Sequence, residues 1–185
     1  MHQFVPLFAL LILSSLTAPQ ARADEEPWSD TVNGFRGRME MRVKDNINGT
    51  PVLNVYLTLE NLADIVNPQQ LHWDSNYLSV RVVDADGQEL ERANGPYSGG
   101  RHQNVDLTLP YDSSLTLNVS QSGFGIPKDA RALIDFGPHH TWVIAADDST
   151  AYFLEATVTV PEVKGDRRKK SFRHGTLKLP AVRIP

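Results

Sequence analysis

The side chains best suited to chemistry are six Lys and Arg residues crowded into one short stretch near the C-terminal end, KGDRRKKSFRHG, residues 164–175. They stand out because the whole chain carries a formal net charge of −4. Such a cluster predicts docking of an anion, for which an acidic polysaccharide, a lipid head group or an acidic protein surface would serve. The residues that would make this contact are Lys164, Arg167, Arg168, Lys169, Lys170 and Arg173. The alternative is a solvated loop whose charges keep an edge strand from pairing with its neighbours.

Residue types used in catalysis and metal binding are scattered. The chain has no Cys, which excludes thiol nucleophiles, thiolate metal sites and disulfides. Its histidines show neither a His-x-His pair nor a His-Glu-x-x-His helix, so we expect no metal and no cofactor. No Gly-x-Ser-x-Gly elbow is present, and we expect a protein that is not an enzyme. A small exported hydrolase is the alternative, because a sequence does not give the separation of paired carboxylates.

Aromatic side chains offer another route to function. Trp73, Tyr77 and Tyr97 would form a carbohydrate-binding platform if their rings were exposed, and this is the second alternative. Nucleic acid is not expected as a partner, since Phe172 is the only aromatic residue within the basic stretch. The partner is thus an unknown protein or an acidic polysaccharide, and the sequence sets no oligomeric state.

The first residues resemble a leader for export. An apolar run from Val5 to Leu16 is too short to span a bilayer, and Ala21-Arg22-Ala23 fits a cleavage site. We therefore predict a signal peptide over residues 1–23, cleaved near Ala23, and a secreted or periplasmic product. No later apolar run approaches the roughly eighteen residues of a transmembrane helix, and none is expected.

Alternation of apolar and polar residues dominates the rest of the chain. It is clearest in RMEMRVK, residues 38–44, and LNVYLTLE, residues 53–60, where Met39, Met41 and Val43 are expected to face inward. Asn48-Gly49 between them predicts a two-residue hairpin turn. Similar short strands recur to the end of the chain, where Pro180 should interrupt the last one. We predict an all-β, antiparallel, two-sheet β-sandwich of seven to nine strands over residues 35–185, preceded by an extended segment, residues 24–34.

The stretch DDSTAYFL, residues 147–154, resembles the corner between strands E and F of immunoglobulin-like domains, and the chain is similar in style to small exported bacterial sandwich domains. The resemblance implies that the Tyr152 hydroxyl bonds to upstream backbone. It also implies that residues 152–160 form strand F and that the basic stretch is the F to G loop at one end of the sandwich. Leu154 stands where antibody domains carry their second cysteine, so this would be a sandwich without the disulfide.

Overall fold

The computed structural model describes residues 27–63, 69–93, 103–120, 127–137, 140–161 and 175–185. Within these ranges the fold is all-β, as predicted, with eleven strands rather than seven to nine, and one 3₁₀ turn, Ser75–Tyr77. The strands are β1 (Phe35–Ile47), β2 (Thr50–Asn61), β3 (Gln69–Asp74), β4 (Leu78–Asp84), β5 (Asn104–Leu109), β6 (Ser113–Asn118), β7 (Ala132–Asp135), β8 (Thr141–Ile144), β9 (Tyr152–Val160), β10 (Gly175–Lys178) and β11 (Val182–Arg183). None of the described residues belongs to a helix long and apolar enough to cross a membrane.

The strands form three sheets. The largest has the order β1-β2-β7-β8, with β6 also paired to β2, and the second is built around β9, which pairs with β4, β10 and β11. A small third sheet pairs β3 with β5. One pairing departs from the predicted antiparallel arrangement, because β7 runs parallel to β2 at Val52 and Leu53. The antiparallel strand β6 already occupies β2 from Tyr56 to Asn61, so only a short part of that edge is left for β7.

The hairpin of β1 and β2 forms as predicted. Its turn residues, Asn48 and Gly49, have φ values of 53° and 81°, the positive angles that a type I′ turn requires. On β1, Met39 is buried, but Val43 is 60% exposed, so the expectation that Val43 faces the core is wrong. The strand alternates correctly, but it extends beyond the part of the molecule that covers its inner face.

The hydrophobic core lies between the two larger sheets. It contains the inward face of β9, with Leu154 and Val158, together with Leu57 of β2 and the fully buried Trp142 of β8. At Gly37 the sheets approach so closely that an added Cβ would lie 2.8 Å from a methyl group of Leu179. The beginning of β1 therefore packs against the C-terminal strands.

The final strand is interrupted where proline was expected to break it. β10 and β11 both pair with β9, and Pro180 lies between them. Pairing runs to Lys178, and the Leu179 N–H still donates to the Ala156 carbonyl at 3.0 Å. Beyond Pro180 it resumes at Val182, with one more residue on this side than on β9.

Candidate functional site

The strands on either side of the basic stretch are neighbours in one sheet. The last residue of β9, Val160, pairs with the first residue of β10, Gly175. The stretch therefore connects adjacent ends of two antiparallel strands. The cationic residues themselves lie outside the described part of the chain, namely Lys164, Arg167, Arg168, Lys169, Lys170 and Arg173.

A second Asn-Gly turn, Asn33–Gly34, lies against the start of β10 at Gly175. Asn33 and Gly34 have φ values of 50° and 84° between the bridged residues Val32 and Phe35. A Cβ atom on Gly175 would lie 3.1 Å from Nδ2 of Asn33 and 3.2 Å from Cγ1 of Val32. This turn was not predicted from the sequence, although the Asn-Gly pair between two apolar residues was a usable signal.

A polar cluster lies at the same end of the sandwich. Nδ1 of His72 on β3 is 2.5 Å from Oδ1 of Asp106 on β5, and the ring of Tyr77 meets the imidazole edge-on with centroids 5.8 Å apart. Burial, followed by the nearby carboxylates of Asp74 and Asp106, raises the pKa of Tyr77. The 3₁₀ turn that holds Tyr77 contacts β9, which brings this cluster near the base of the basic stretch.

The His72–Asp106 pair alone is not sufficient for acid–base catalysis or for binding a metal ion. A histidine paired with a carboxylate can exchange a proton, but catalysis would also require a substrate-binding cleft around the pair. Across the described ranges, no three His, Asp or Glu side chains are placed to hold a metal ion.

Tyr152 starts β9 and forms a corner at the opposite end of that strand. Its hydroxyl donates to Oδ2 of Asp148 at 2.9 Å, whereas the resemblance implied a backbone acceptor. Arg131 donates to the carbonyl oxygens of Asp148 and Thr150 at 2.7 and 2.8 Å. The backbone N–H of Thr150, then its side chain and Tyr152, lower the pKa of Asp148. The same bond to Asp148, followed by burial, raises the pKa of Tyr152. These contacts fix the corner at the start of β9.

The Asn48–Gly49 turn is also held by tertiary contacts. The Asn48 carbonyl accepts from the N–H of Asp129 at 3.0 Å, and an added Cβ on Gly49 would lie 2.5 Å from a carboxylate oxygen of Asp129. Thr50 next to the turn is buried and bonds to the same segment, donating to the Pro127 carbonyl and accepting from the Ala130 N–H. The turn therefore anchors the hairpin.

Of the three residues of the predicted aromatic platform, the two that the structure describes, Trp73 and Tyr77, do not form an exposed surface. Trp73 is only 1% exposed and cannot offer a ring face to a sugar. Tyr77 is part-buried beside His72, and Tyr97 lies outside the described ranges. Met39 is part of the core.

Trp28 is the only tryptophan with a partly exposed side chain, since Trp73 and Trp142 are both buried. It contacts the guanidinium groups of Arg36 and Arg38, whose Cζ atoms lie 4.4 and 4.7 Å from its ring centroid. These cation–π contacts tie the segment before β1 to the outer face of that strand.

Comparison with known proteins found no relative of this chain. No family model, curated protein or solved structure shows significant similarity to this chain.

Proposed function

We propose that the chain is an exported, non-catalytic β-sandwich module that docks an anionic partner through the basic stretch, residues 164–175. The observation that carries this proposal is the pairing of Val160 with Gly175. It attaches six cationic residues to the neighbouring ends of two strands, whose sheet fixes the base of the connection while its sequence is free to vary.

The charge distribution supports an anionic partner. The chain has 22 acidic residues against 18 Lys and Arg, and six of those cations fall in this one stretch. The remainder of the chain therefore carries a net negative charge, with 21 Asp and Glu against 12 Lys and Arg. Such separation of charge steers an anionic partner toward one orientation and raises its association rate.

The strand neighbours support the immunoglobulin-like interpretation. β2 lies between β1 and β6, as strand B lies between A and E, and β9 lies between β4 and β10, as F lies between C and G. The basic stretch then corresponds to the F to G loop. β7, β8 and the parallel pairing with β2 have no counterpart in that arrangement. The exported location depends on the leader, residues 1–23, which lies outside the described residues.

The test is retention of the protein on an anionic polymer as salt is raised. In the test variant four cations become Ser: Arg167, Arg168, Lys169 and Lys170. We expect the native chain to elute from immobilised polyuronate and from immobilised poly-glutamate at moderate salt, and the variant to elute much earlier. Stronger retention on one polymer would separate a polysaccharide partner from an acidic protein.

A control variant removes the same charge elsewhere. It changes four exposed cations of the described surface to Ser: Arg81, Arg92, Lys128 and Lys178. Thermal denaturation of both variants shows whether each is folded. An equal loss of retention in the two variants would assign the effect to net charge, and unchanged elution of the test variant would refute the proposal.

A further inference from the structure

The outer edge of β1 is a row of backbone groups aligned for pairing. Gly37 donates its N–H to Oγ of Ser29 at 3.0 Å and accepts from the Ser29 N–H at 2.9 Å. Backbone groups of alternate residues in a strand point to the same side, so those of Met39, Met41 and Val43 share this direction. Among the residues that the structure describes, no backbone group bonds to these three.

The hydrogen bonds of β2 show that this direction is away from the sheet. The Val119 N–H donates to the Val55 carbonyl at 2.9 Å, on the β6 side of β2. Val55 lies opposite Met41 in the β1–β2 ladder. Because the backbone groups of Val55 point toward β6, the pair of Val55 with Met41 is not hydrogen-bonded, and the groups of Met41 point outward.

This edge is complementary to itself in one register. It is bounded by the Ser29 contact at Gly37 and by the β-bulge after Val43. Two copies related by a two-fold axis at Met41 set Met41 opposite Met41 and Met39 opposite Val43, so every outward N–H and C=O finds a partner. Moving the axis by one residue in either direction leaves one outward residue opposite either the occupied Gly37 or the irregular bulge.

The apolar side chains favour the same register. Met39 is 1% exposed, Met41 is part-buried and Val43 is 60% exposed. In the two-fold arrangement the exposed Val43 of each copy lies beside Met39 of the other, at the place where the body of that copy covers the inner face of β1. Pairing therefore covers an apolar side chain and bonds the outward backbone groups at the same time.

The polar face of β1 is compatible with this register and requires no free charge. Arg42 donates to both carboxylate oxygens of Glu40 in its own chain, at 2.7 and 2.8 Å. The axis at Met41 sets Glu40 opposite Arg42 of the second copy, so two intact ion pairs lie side by side with unlike charges facing. An axis one residue away would set Glu40 opposite Glu40, or Arg42 opposite Arg42. Like charges meet at the ends of the pairing, where Arg38 faces Lys44, the extra residue of the bulge, at which the strand bends.

We propose that the edge Met39–Val43 binds a second copy of the chain, with the two β1 strands antiparallel about a two-fold axis at Met41. The occupant follows from the self-complementary length, burial and register of the edge and not from an unpaired charge. The largest sheet then continues across both molecules. This contact is independent of the basic stretch, since Val43 lies about 25 Å along β1 from the end where Gly175 is attached.

Sedimentation equilibrium over a concentration series tests the assembly, and we expect a monomer–dimer equilibrium. Val43→Pro weakens the dimer by at least about tenfold, because proline removes an outward N–H and leaves the bonds to β2 in place. Arg42→Glu sets like charges opposite each other and also weakens it by at least about tenfold, and adding Glu40→Arg restores it. The control Arg81→Glu, which removes another ion-paired arginine of a strand, leaves the affinity unchanged. Thermal denaturation shows that each variant is folded.

Cross-linking tests the register, and the native chain gives no background because it has no Cys. In the proposed dimer the Cα atoms of Glu40 and of Arg42 in the second copy are about 4.5 Å apart, within the range of a disulfide. An oxidised mixture of Glu40→Cys and Arg42→Cys should therefore form covalent dimers at least about tenfold faster than either variant alone, whose like positions are about 8 Å apart. Equal cross-linking in all three samples overturns the proposal. So does a native chain that stays monomeric up to about 1 mM, or a dimer that Val43→Pro leaves unchanged.

Discussion

Gly34→Ala tests whether the Asn33–Gly34 turn is a rigid support for the end of the sandwich that carries the basic stretch. Gly34 has φ +84°, and an added Cβ would lie 2.6 Å from the Ala63 Cβ and 3.1 Å from its Cα. The facing backbone has little freedom to withdraw, because the Leu62 N–H donates to the Gly34 carbonyl at 2.7 Å and the Ala63 N–H to Asn61 at 2.9 Å. The substitution therefore combines backbone strain with a steric clash.

Gly87→Ala separates these two effects. Gly87 has nearly the same φ, +81°, but nothing lies within 4 Å of the position that an added Cβ would take. Left-handed strain costs about 1–2 kcal/mol, and the stiffer unfolded chain returns about 0.4–1 kcal/mol, so we expect a net loss of about 1 kcal/mol. At Gly34 the clash adds about 1–3 kcal/mol, for a total of about 2–4 kcal/mol.

The assay is urea unfolding of the native chain and both variants, followed by intrinsic fluorescence. For a protein of this size each kcal/mol corresponds to about 2–4 °C in melting temperature, so thermal denaturation gives an independent value. If Gly34→Ala and Gly87→Ala destabilise equally within about 0.5 kcal/mol, the turn yields to the added methyl group and the steric part of the reasoning is refuted.

The remaining predictions concern two buried or bonded polar residues at the opposite end of the sandwich. Thr50→Val leaves the Pro127 carbonyl and the Ala130 N–H without the buried hydroxyl they now bond, so urea unfolding should show a loss of about 2–5 kcal/mol, while Thr50→Ser loses only about 1 kcal/mol. Because the pKa of Asp148 is lowered, its carboxylate stabilises the fold above the ordinary value of 3.8, and this contribution is lost as pH falls through the lowered pKa. The free-energy difference between the native chain and Asp148→Asn should therefore be constant near neutral pH and shrink below pH 3.8, and an undiminished difference in acid would contradict the assignment.

Local patterns predicted the elements that depend on neighbouring residues. Asn48-Gly49 defined its hairpin because two positive φ angles suffice to reverse a strand, and the alternation in residues 38–44 placed Met39 on the inward face correctly. The Asn33-Gly34 turn follows the same rule. It was missed because only one bridged pair, Val32 with Phe35, flanks it, too little for any alternation to be visible.

Contacts between distant residues were not predictable in this way. Val43 alternates correctly with its neighbours but is exposed, because burial depends on how far the rest of the molecule extends beneath β1. Trp73 was considered as part of an exposed aromatic platform, but it is buried. Its burial also depends on how the rest of the molecule covers it. The basic residues were plain in the sequence, but the contact of Gly175 with Asn33 joins positions far apart along the chain.

Because a chain is synthesised from its N-terminal end, the strands that pair with β2 become available at very different times. β1 is one tight turn away, whereas β6 begins at Ser113 and β7 at Ala132. Until β6 and β7 are synthesised, the edge of β2 that they cover would be open to pairing with strands of other chains. A nascent or truncated chain that ends before Ser113 is therefore expected to aggregate, and a chaperone that shields β2 during synthesis would prevent this.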